Sequence, residues 1–412
     1  MVFSTVAMQL ISILTIPILA RLFSPESFGT HGSYRSLIII ISLILSFSLE
    51  LAVVLPKGDF EKVRVYLTTF ITVFSTAAII LILYYCALFF FNIDFFTFLF
   101  NKSDSSYIYI VLLGAILVAI TNLNQSRLVS LKMFKKIAIS RFILPLFFFI
   151  FSIFFYYLDF KFSGLIYAQI VAYLFLFFFL QKFIKLNFKS INKLVIKSIY
   201  KKYRDIPLFT FPNSLLNTIS LNLPLIILGI LYSDTVVGYY AIGVKLVSLP
   251  VSFVSSSFSQ IFYKKCVDLF NHNIDDLFPF VKKVMFILLG IGLIVFLFIY
   301  LLIPYLVPFF LGEQWLDSIK YLQYICFWQA LMLVNSPVST IAILLKKQKP
   351  LLFFQILYLL FRTLALWFPF HLGFSAKDSV LYYSITGVLF NFYLFYFLLK
   401  ITYNFKKLNV GL

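Results

Sequence analysis

VMFILLGIGLIVFLFIYLLIPYLVPFF, residues 284–310, contains no charged side chain. A helix of that length outreaches the ~30 Å hydrocarbon core of a bilayer, which about 20 apolar residues cross. A membrane β-barrel needs alternating segments of about ten residues, and neither this run nor residues 146–157 alternates. Similar stretches fill the 412-residue chain. Val2–Leu22, Gly29–Pro56, Val65–Phe91, Tyr107–Leu123, Phe142–Leu158 and Gly164–Leu180 come first. Leu208–Tyr232, Val236–Phe262, Val284–Phe310, Tyr321–Leu345, Leu351–Phe370 and Val380–Leu399 follow. The expected fold is all-α, a polytopic membrane protein of about 12 transmembrane helices. Composition agrees: 62% of residues are hydrophobic and 12% charged, against about 25% charged in soluble domains. The first span lacks the basic n-region and cleavage site of a signal peptide and reads as a genuine helix.

Charge placement sets the orientation. With both termini cytoplasmic, most of the 34 basic residues fall on one face. They include Lys57, Lys62 and Arg64; Arg127, Lys132, Lys135, Lys136 and Arg141; Lys264, Lys265, Lys282 and Lys283; and Lys346, Lys347, Lys349, Lys400, Lys406 and Lys407. The opposite face keeps Lys102, Lys161 and Lys377. A Lys/Arg excess over short cytoplasmic loops is the orientation rule. The net charge of +19 therefore reflects topology and attraction to anionic membrane lipids, and no nucleic-acid partner is expected.

One long linker divides the chain. The expected domains are an N-terminal six-helix bundle over residues 1–181, a basic linker over 182–206, and a C-terminal six-helix bundle over 207–412. Lys182, Lys185, Lys189, Lys193 and Lys197 recur every three or four residues, which on a helix gives one basic face beside apolar positions and suits an interfacial amphipathic helix. The halves look duplicated. Ile11-Ser12 and Phe23-Ser24-Pro25-Glu26-Ser27-Phe28-Gly29 return as Ile219-Ser220 and Tyr232-Ser233-Asp234-Thr235-Val236-Val237-Gly238. Arg35 follows the first glycine and Lys245 the second, by six and seven positions. Copies separated by an even number of helices keep their orientation, as in parallel-repeat transporters.

Loops this short leave no room for an extramembrane catalytic domain, and no GxSxG, HExxH or P-loop occurs. Cys86, Cys266 and Cys326, and His31, His272 and His371, are scattered and give no metal spacing. Chemistry must lie among the helices, where an ionisable group is a functional candidate. Arg35 and Lys245 sit ~9 Å or slightly more beyond their glycines. Arg362 lies just past the middle of its span, and Glu50 is the carboxylate within a span. Arg35 and Glu50, ~22 Å apart on a continuous helix, cannot pair. In the seventh span Asn213, Asn217 and Ser220 form one polar stripe. Gln260, Gln329, Asn335 and Asn391 suit sugar hydroxyls or helix–helix contacts. Deep charges that are mostly positive favour an anionic, phosphate-bearing ligand.

The stretches QLISILTIPILARLFSPESFGTHGSYRSL and ELAVVLPKGD resemble the polysaccharide-biosynthesis flippases, the Wzx-like translocases of O-antigen and capsule repeat units. FPNSLLNTISLNLPLIILGILYSDTVVGYYAIGVKLVSLPVSFVSSSFSQIFYKK and FLGEQWLDSIKYLQ resemble that family's second half. Ser48-Leu49 stands where relatives often carry a basic or aromatic residue. The resemblance implies two pseudo-symmetric bundles around a central cavity, in the multidrug/oligosaccharidyl-lipid/polysaccharide exporter superfamily. It implies, too, a non-enzymatic flippase of the bacterial inner membrane carrying an undecaprenyl-diphosphate-linked oligosaccharide, without cofactor but with H+ or Na+ coupling. Arg35, Lys245 and Arg362, with Asn213 and Asn217, would bind substrate, and Glu50 would serve coupling. A polysaccharide polymerase and a chain-length regulator would be partners. The alternatives are a cation-coupled drug exporter of the same superfamily, which favours acidic cavities, and a membrane glycan polymerase or ligase, which needs a larger outer loop.

Overall fold

The computed structural model describes residues 11, 14–91, 107–184 and 191–410. Most of the first expected span, the 92–106 loop with Lys102, and Lys185 and Lys189 of the linker lie outside them. Among the described residues the chain is helical and without strands. Ten helices there are long and apolar enough to cross a membrane, and the pair Asp234–Val247 and Leu249–His272, bent by 40°, makes eleven. An expectation of about 12 transmembrane helices is consistent with this.

The helices used below are α1 (Pro25–Ser46), α2 (Asp59–Phe91), α3 (Tyr107–Ser130), α4 (Phe134–Tyr157), α5 (Gly164–Gln181), α6 (Lys193–Lys202), α7 (Phe211–Leu231), α8 (Asp234–Val247), α9 (Leu249–His272), α10 (Leu277–Leu306), α11 (Ser318–Val338), α12 (Gln348–His371) and α13 (Ala376–Val410). The duplicated turn has a physical meaning. Ser24 Oγ accepts from the Ser27 amide at 3.3 Å, and Ser233 Oγ accepts from the Val236 amide at 3.3 Å. Both copies are helix N-caps, in which a serine oxygen satisfies a first-turn N–H that has no partner in the helix.

The second expected span, Gly29–Pro56, is not one helix. α1 stops at Ser46 because Phe47 (φ 49°) and Ser48 (φ 57°) both turn left-handed, a conformation that ends helices. A 3-10 turn, Leu49–Val54, follows and packs on α2 and α3. Irregular backbone at such a place is tolerated only where protein covers it, and Leu49, Ala52 and Val53 are buried.

The chain forms two compact units, one ending at Val237 and the other running from Gly238 to Leu412. α7 lies along α1 and is grouped with the first of these units. In the first unit α1 also packs on α3, and α4 pairs with α5. A Cβ on Gly114 would clash with Tyr34 Oη, so glycine there leaves room for the buried Tyr34 ring against α3. The linker helix α6 is capped by Asn192, whose Oδ1 accepts from the Val195 amide at 2.8 Å. Its apolar face turns to protein: Ile199 is buried, and Val195 and Tyr203 pack on the same core. Tyr200 Oη meets Thr72 Oγ1 of α2 at 2.6 Å. Glu61 pairs with Lys202 and accepts from Tyr203 Oη at 3.0 Å; its carboxylate pushes the Lys202 ammonium above its ordinary range. Lys193, Lys197 and Lys201 stay exposed.

In the second unit α10, α11 and α13 pack together, with α12 against α13. α10 approaches α11 so closely that a Cβ on Gly292 would stand 2.7 Å from the Ala330 carbonyl oxygen, while one on Gly290 would meet nothing within 4 Å. Backbone cannot swing aside as a side chain can. Gly292→Ala is expected to cost about 2–3 kcal/mol by overpacking, whereas Gly290→Ala should be neutral or gain up to ~1 kcal/mol from helix propensity. Thermal unfolding of the two variants in the same detergent checks the contrast.

Candidate functional site

The deep charges fall into three environments. Arg35 lies on α1, whose other faces are occupied. Gly32, Ser33, Tyr34 and Ser36 around it are buried. Gly229 of α7 backs onto Ser33, and Thr30 Oγ1 donates to Asp234 Oδ2 at 3.1 Å. On the α5 side His31 bonds to Gln169 and stacks on Phe148, centroids 5.3 Å apart. Arg35 itself is exposed, with Tyr173 in electrostatic reach. No carboxylate of the described residues forms an ion pair with it.

Lys245 occupies the last turn of α8, where helix carbonyls favour a cation. Ile242 and Val247 are buried and Gly243 backs onto Leu322 and Ile325 of α11; Lys245 is exposed. The cap register makes Val244, not Lys245, the strict counterpart of Arg35. The two cations are therefore about 100° apart around their axes relative to the caps. Asn213 and Asn217 are exposed near the start of α7, and Ser220 is half-buried, so the stripe lies off the face that packs on α1.

Glu50 stands apart from both. The break after Ser46 moves it from a helix onto the 3-10 turn, where it is buried and its Oε2 has no hydrogen-bond partner. Ser46 approaches its carboxyl. Among the described residues no cation pairs with it; Arg35 is no exception, although the continuous helix assumed from sequence is broken between them. Arg127, read from sequence as a loop charge, is 4% exposed and pairs with Asp59 at 2.9 Å.

Arg362 on α12 is enclosed. Its guanidinium carbon lies 3.6 Å from the Tyr383 ring centroid, 4.4 Å from Trp328 and 4.9 Å from Tyr358. Tyr383 in turn meets Tyr240 edge-on at 6.0 Å. Tyr358 lies one turn before Arg362 on the same helix, so its ring is set by i, i+4 spacing. Asn391 Nδ2 donates to Tyr358 Oη at 3.1 Å, and Asn335 Nδ2 donates to the Asn391 carbonyl at 2.7 Å. The amides of α11 and α13 thus serve as inter-helix contacts that hold one wall of the ring box. Burying a cation costs several kcal/mol, and each ring face returns ~0.5–2 kcal/mol. The rings offset much of that cost without a carboxylate.

The sequence pointed to Arg362 but not to its box. Aromatic residues make up 20% of the chain, so no spacing singles out Trp328, Tyr240 or Tyr383. Among the described residues no group of three His, Cys, Asp or Glu could hold a metal, and the three cysteines are unpaired.

With this geometry in hand, comparison with known proteins places the chain. The profile of a family described as polysaccharide biosynthesis protein matches residues 18–320. The chain belongs to that family. No curated protein matches it. Among solved structures it is similar to an inward-facing multidrug resistance MATE family transporter of the MOP superfamily. The TM-score there is 0.74 at 15% identity, over 97% of this chain and 96% of that one. It is similar also to the lipid II flippase MurJ in an inward closed conformation, with TM-score 0.72 at 16% identity over 98% and 89%. A MOP superfamily transporter from Pyrococcus furiosus follows at 0.58 and 15%, over 96% and 92%. At these identities the likeness establishes the fold: this member of the family is a multi-pass membrane protein that shares the fold of those structures.

If ring faces hold the buried cation, Tyr383→Leu should lower stability by about 2–3 kcal/mol. Tyr383→Phe, which keeps the ring and loses only the hydroxyl, should cost about 1 kcal/mol or less. Thermal unfolding of the two variants distinguishes ring from hydroxyl.

Proposed function

We propose that this protein is a flippase for an oligosaccharide carried on undecaprenyl diphosphate. It moves the repeat unit from the cytoplasmic to the outer leaflet of the bacterial inner membrane, for O-antigen, capsule or exopolysaccharide synthesis. Membership of a polysaccharide-biosynthesis family and the fold shared with a lipid II flippase support this reading. The observation that carries it is the sorting of deep charges. Arg35 and Lys245 are exposed, whereas the carboxylate of Glu50 is buried.

A diphosphate surrenders a costly water shell when it leaves solution. Cations already in place can replace that shell, and Arg can do so with two parallel N–H donors. Arg35 and Lys245 are assigned to the diphosphate, and Asn213 and Asn217 to sugar hydroxyls. Arg362, covered by rings, is assigned no direct contact with the diphosphate. The two six-helix bundles, 1–181 and 207–412, would rock about a central cavity while the lipid tail stays in the bilayer. Glu50 is assigned to H+ or Na+ coupling, since a buried carboxyl without a cation partner can take up either. Both termini would face the cytoplasm, and a polymerase and chain-length regulator would receive the product.

A drug exporter of the same superfamily is the rival. Cationic drugs call for exposed carboxylates at depth, and here the exposed groups are basic. A polymerase or ligase fits less well, because Leu311–Asp317 is a short loop built around a 3-10 turn at Glu313–Trp315.

Reconstitution with a fluorescent lipid-diphosphate oligosaccharide tests the proposal. The protein should accelerate movement between leaflets, and Arg35→Glu or Lys245→Glu should slow it at least tenfold or so by turning attraction into repulsion. Glu50→Gln should keep downhill flipping but lose its response to an imposed ion gradient. Chain extension in place of flipping, or no acceleration, would refute the flippase reading. Full activity of both charge reversals would refute the site alone.

A further inference from the structure

The box around Arg362 contains hydrogen-bond donors without acceptors. Arg362 Nε and Nη2, Trp328 Nε1 and Ser384 Oγ are all buried, and none has a partner in the protein. Their residues are 8%, 7% and 0% exposed. Native proteins leave few buried polar groups unsatisfied, so four in one place call for a common cause.

The packing brings them together. The Arg362 guanidinium lies over the Trp328 ring at 4.4 Å and over Tyr383, the neighbour of Ser384, at 3.6 Å. A Cβ on Gly387 would stand 3.0 Å from Trp328, so α13 passes directly against the indole. Ser384 precedes Gly387 by three residues and shares that face of α13. The hydroxyl thus lies on the side of the helix that meets Trp328, one residue from the ring that covers Arg362.

The chemistry of the group is one-sided. A guanidinium cannot shed its proton, and indole N–H donates only. No carboxylate among the described residues forms an ion pair with Arg362. Water could accept from these groups but would leave the charge uncompensated in a low-dielectric interior. An anion accepts from all of them and compensates the charge as well. Its size is limited: three rings and a helix backbone enclose the guanidinium, so a diphosphate could not reach it without displacing them.

We propose that Arg362, Trp328 and Ser384 form a binding site for a small monovalent inorganic anion of the chloride class, within the unit that begins at Gly238. The ion acts as the counter-charge of Arg362. It is independent of the lipid-linked cargo and stands whether or not the flippase reading does.

The test uses the full-length protein in detergent, with chloride replaced stepwise by gluconate at constant sodium. Chloride or bromide should raise the thermal unfolding temperature saturably, and gluconate should not. Arg362 variants risk misfolding, so the decisive variants remove one neutral donor each. Ser384→Ala and Trp328→Phe should each raise the half-saturating halide concentration roughly tenfold, the loss of one hydrogen bond to a charged group. An unfolding temperature indifferent to the anion would overturn the proposal. So would a halide response with the same half-saturation in both variants and the parent protein.

Discussion

A cation inside a bilayer must find a counter-charge, a ring face or water, because hydrocarbon supplies none of them. That constraint organises this protein more than any single contact does. Arg127 meets it with Asp59. Arg362 meets it with three aromatic rings held by an amide network. Arg35 and Lys245 meet it by exposure. The last pair are exposed, while the first two are buried. Sorting cations by how each is neutralised separates the two buried ones from the two exposed ones that the proposed function assigns to the cargo.

The repeat gives the exposed pair a common origin in local structure. In each copy a serine caps the first turn of a helix, a glycine follows five residues later, and a cation comes about two turns on. The caps match bond for bond, yet Lys245 is displaced by one residue from the place of Arg35. A duplication conserves the backbone device that starts the helix more strictly than the side chain that would meet the ligand. One residue of drift turns a side chain by about 100° around its own helix axis.

Much of the fold was legible in the sequence because lipid leaves the chain few choices. Every backbone group must be paired within the segment, so apolar length alone locates helices such as Leu277–Leu306. The break at Phe47-Ser48 was not legible. Neither residue is glycine, and the left-handed turn is held by packing of the following 3-10 turn on α2 and α3. The grouping of α7 with the first unit was equally hidden, since it depends on small residues such as Ser33 and Gly229 meeting across two helices. The linker helix was visible through its lysine spacing, but its partner was not: Tyr200 and Tyr203 find Thr72 and Glu61 more than a hundred residues earlier. At the candidate site, charge at depth marked Arg35, Lys245, Arg362 and Glu50. Their environments came only from tertiary structure.

The central claim is that Arg35 and Lys245, unlike the caged Arg362, are the groups that meet the cargo phosphates. Equilibrium binding of an undecaprenyl-diphosphate oligosaccharide to the full-length protein in nanodiscs of neutral lipid tests it most directly. Arg35→Gln and Lys245→Gln should each weaken Kd roughly tenfold or more, as expected for loss of a charge-assisted contact to phosphate, while Tyr383→Phe leaves it unchanged. Unchanged Kd in both glutamine variants would contradict the account.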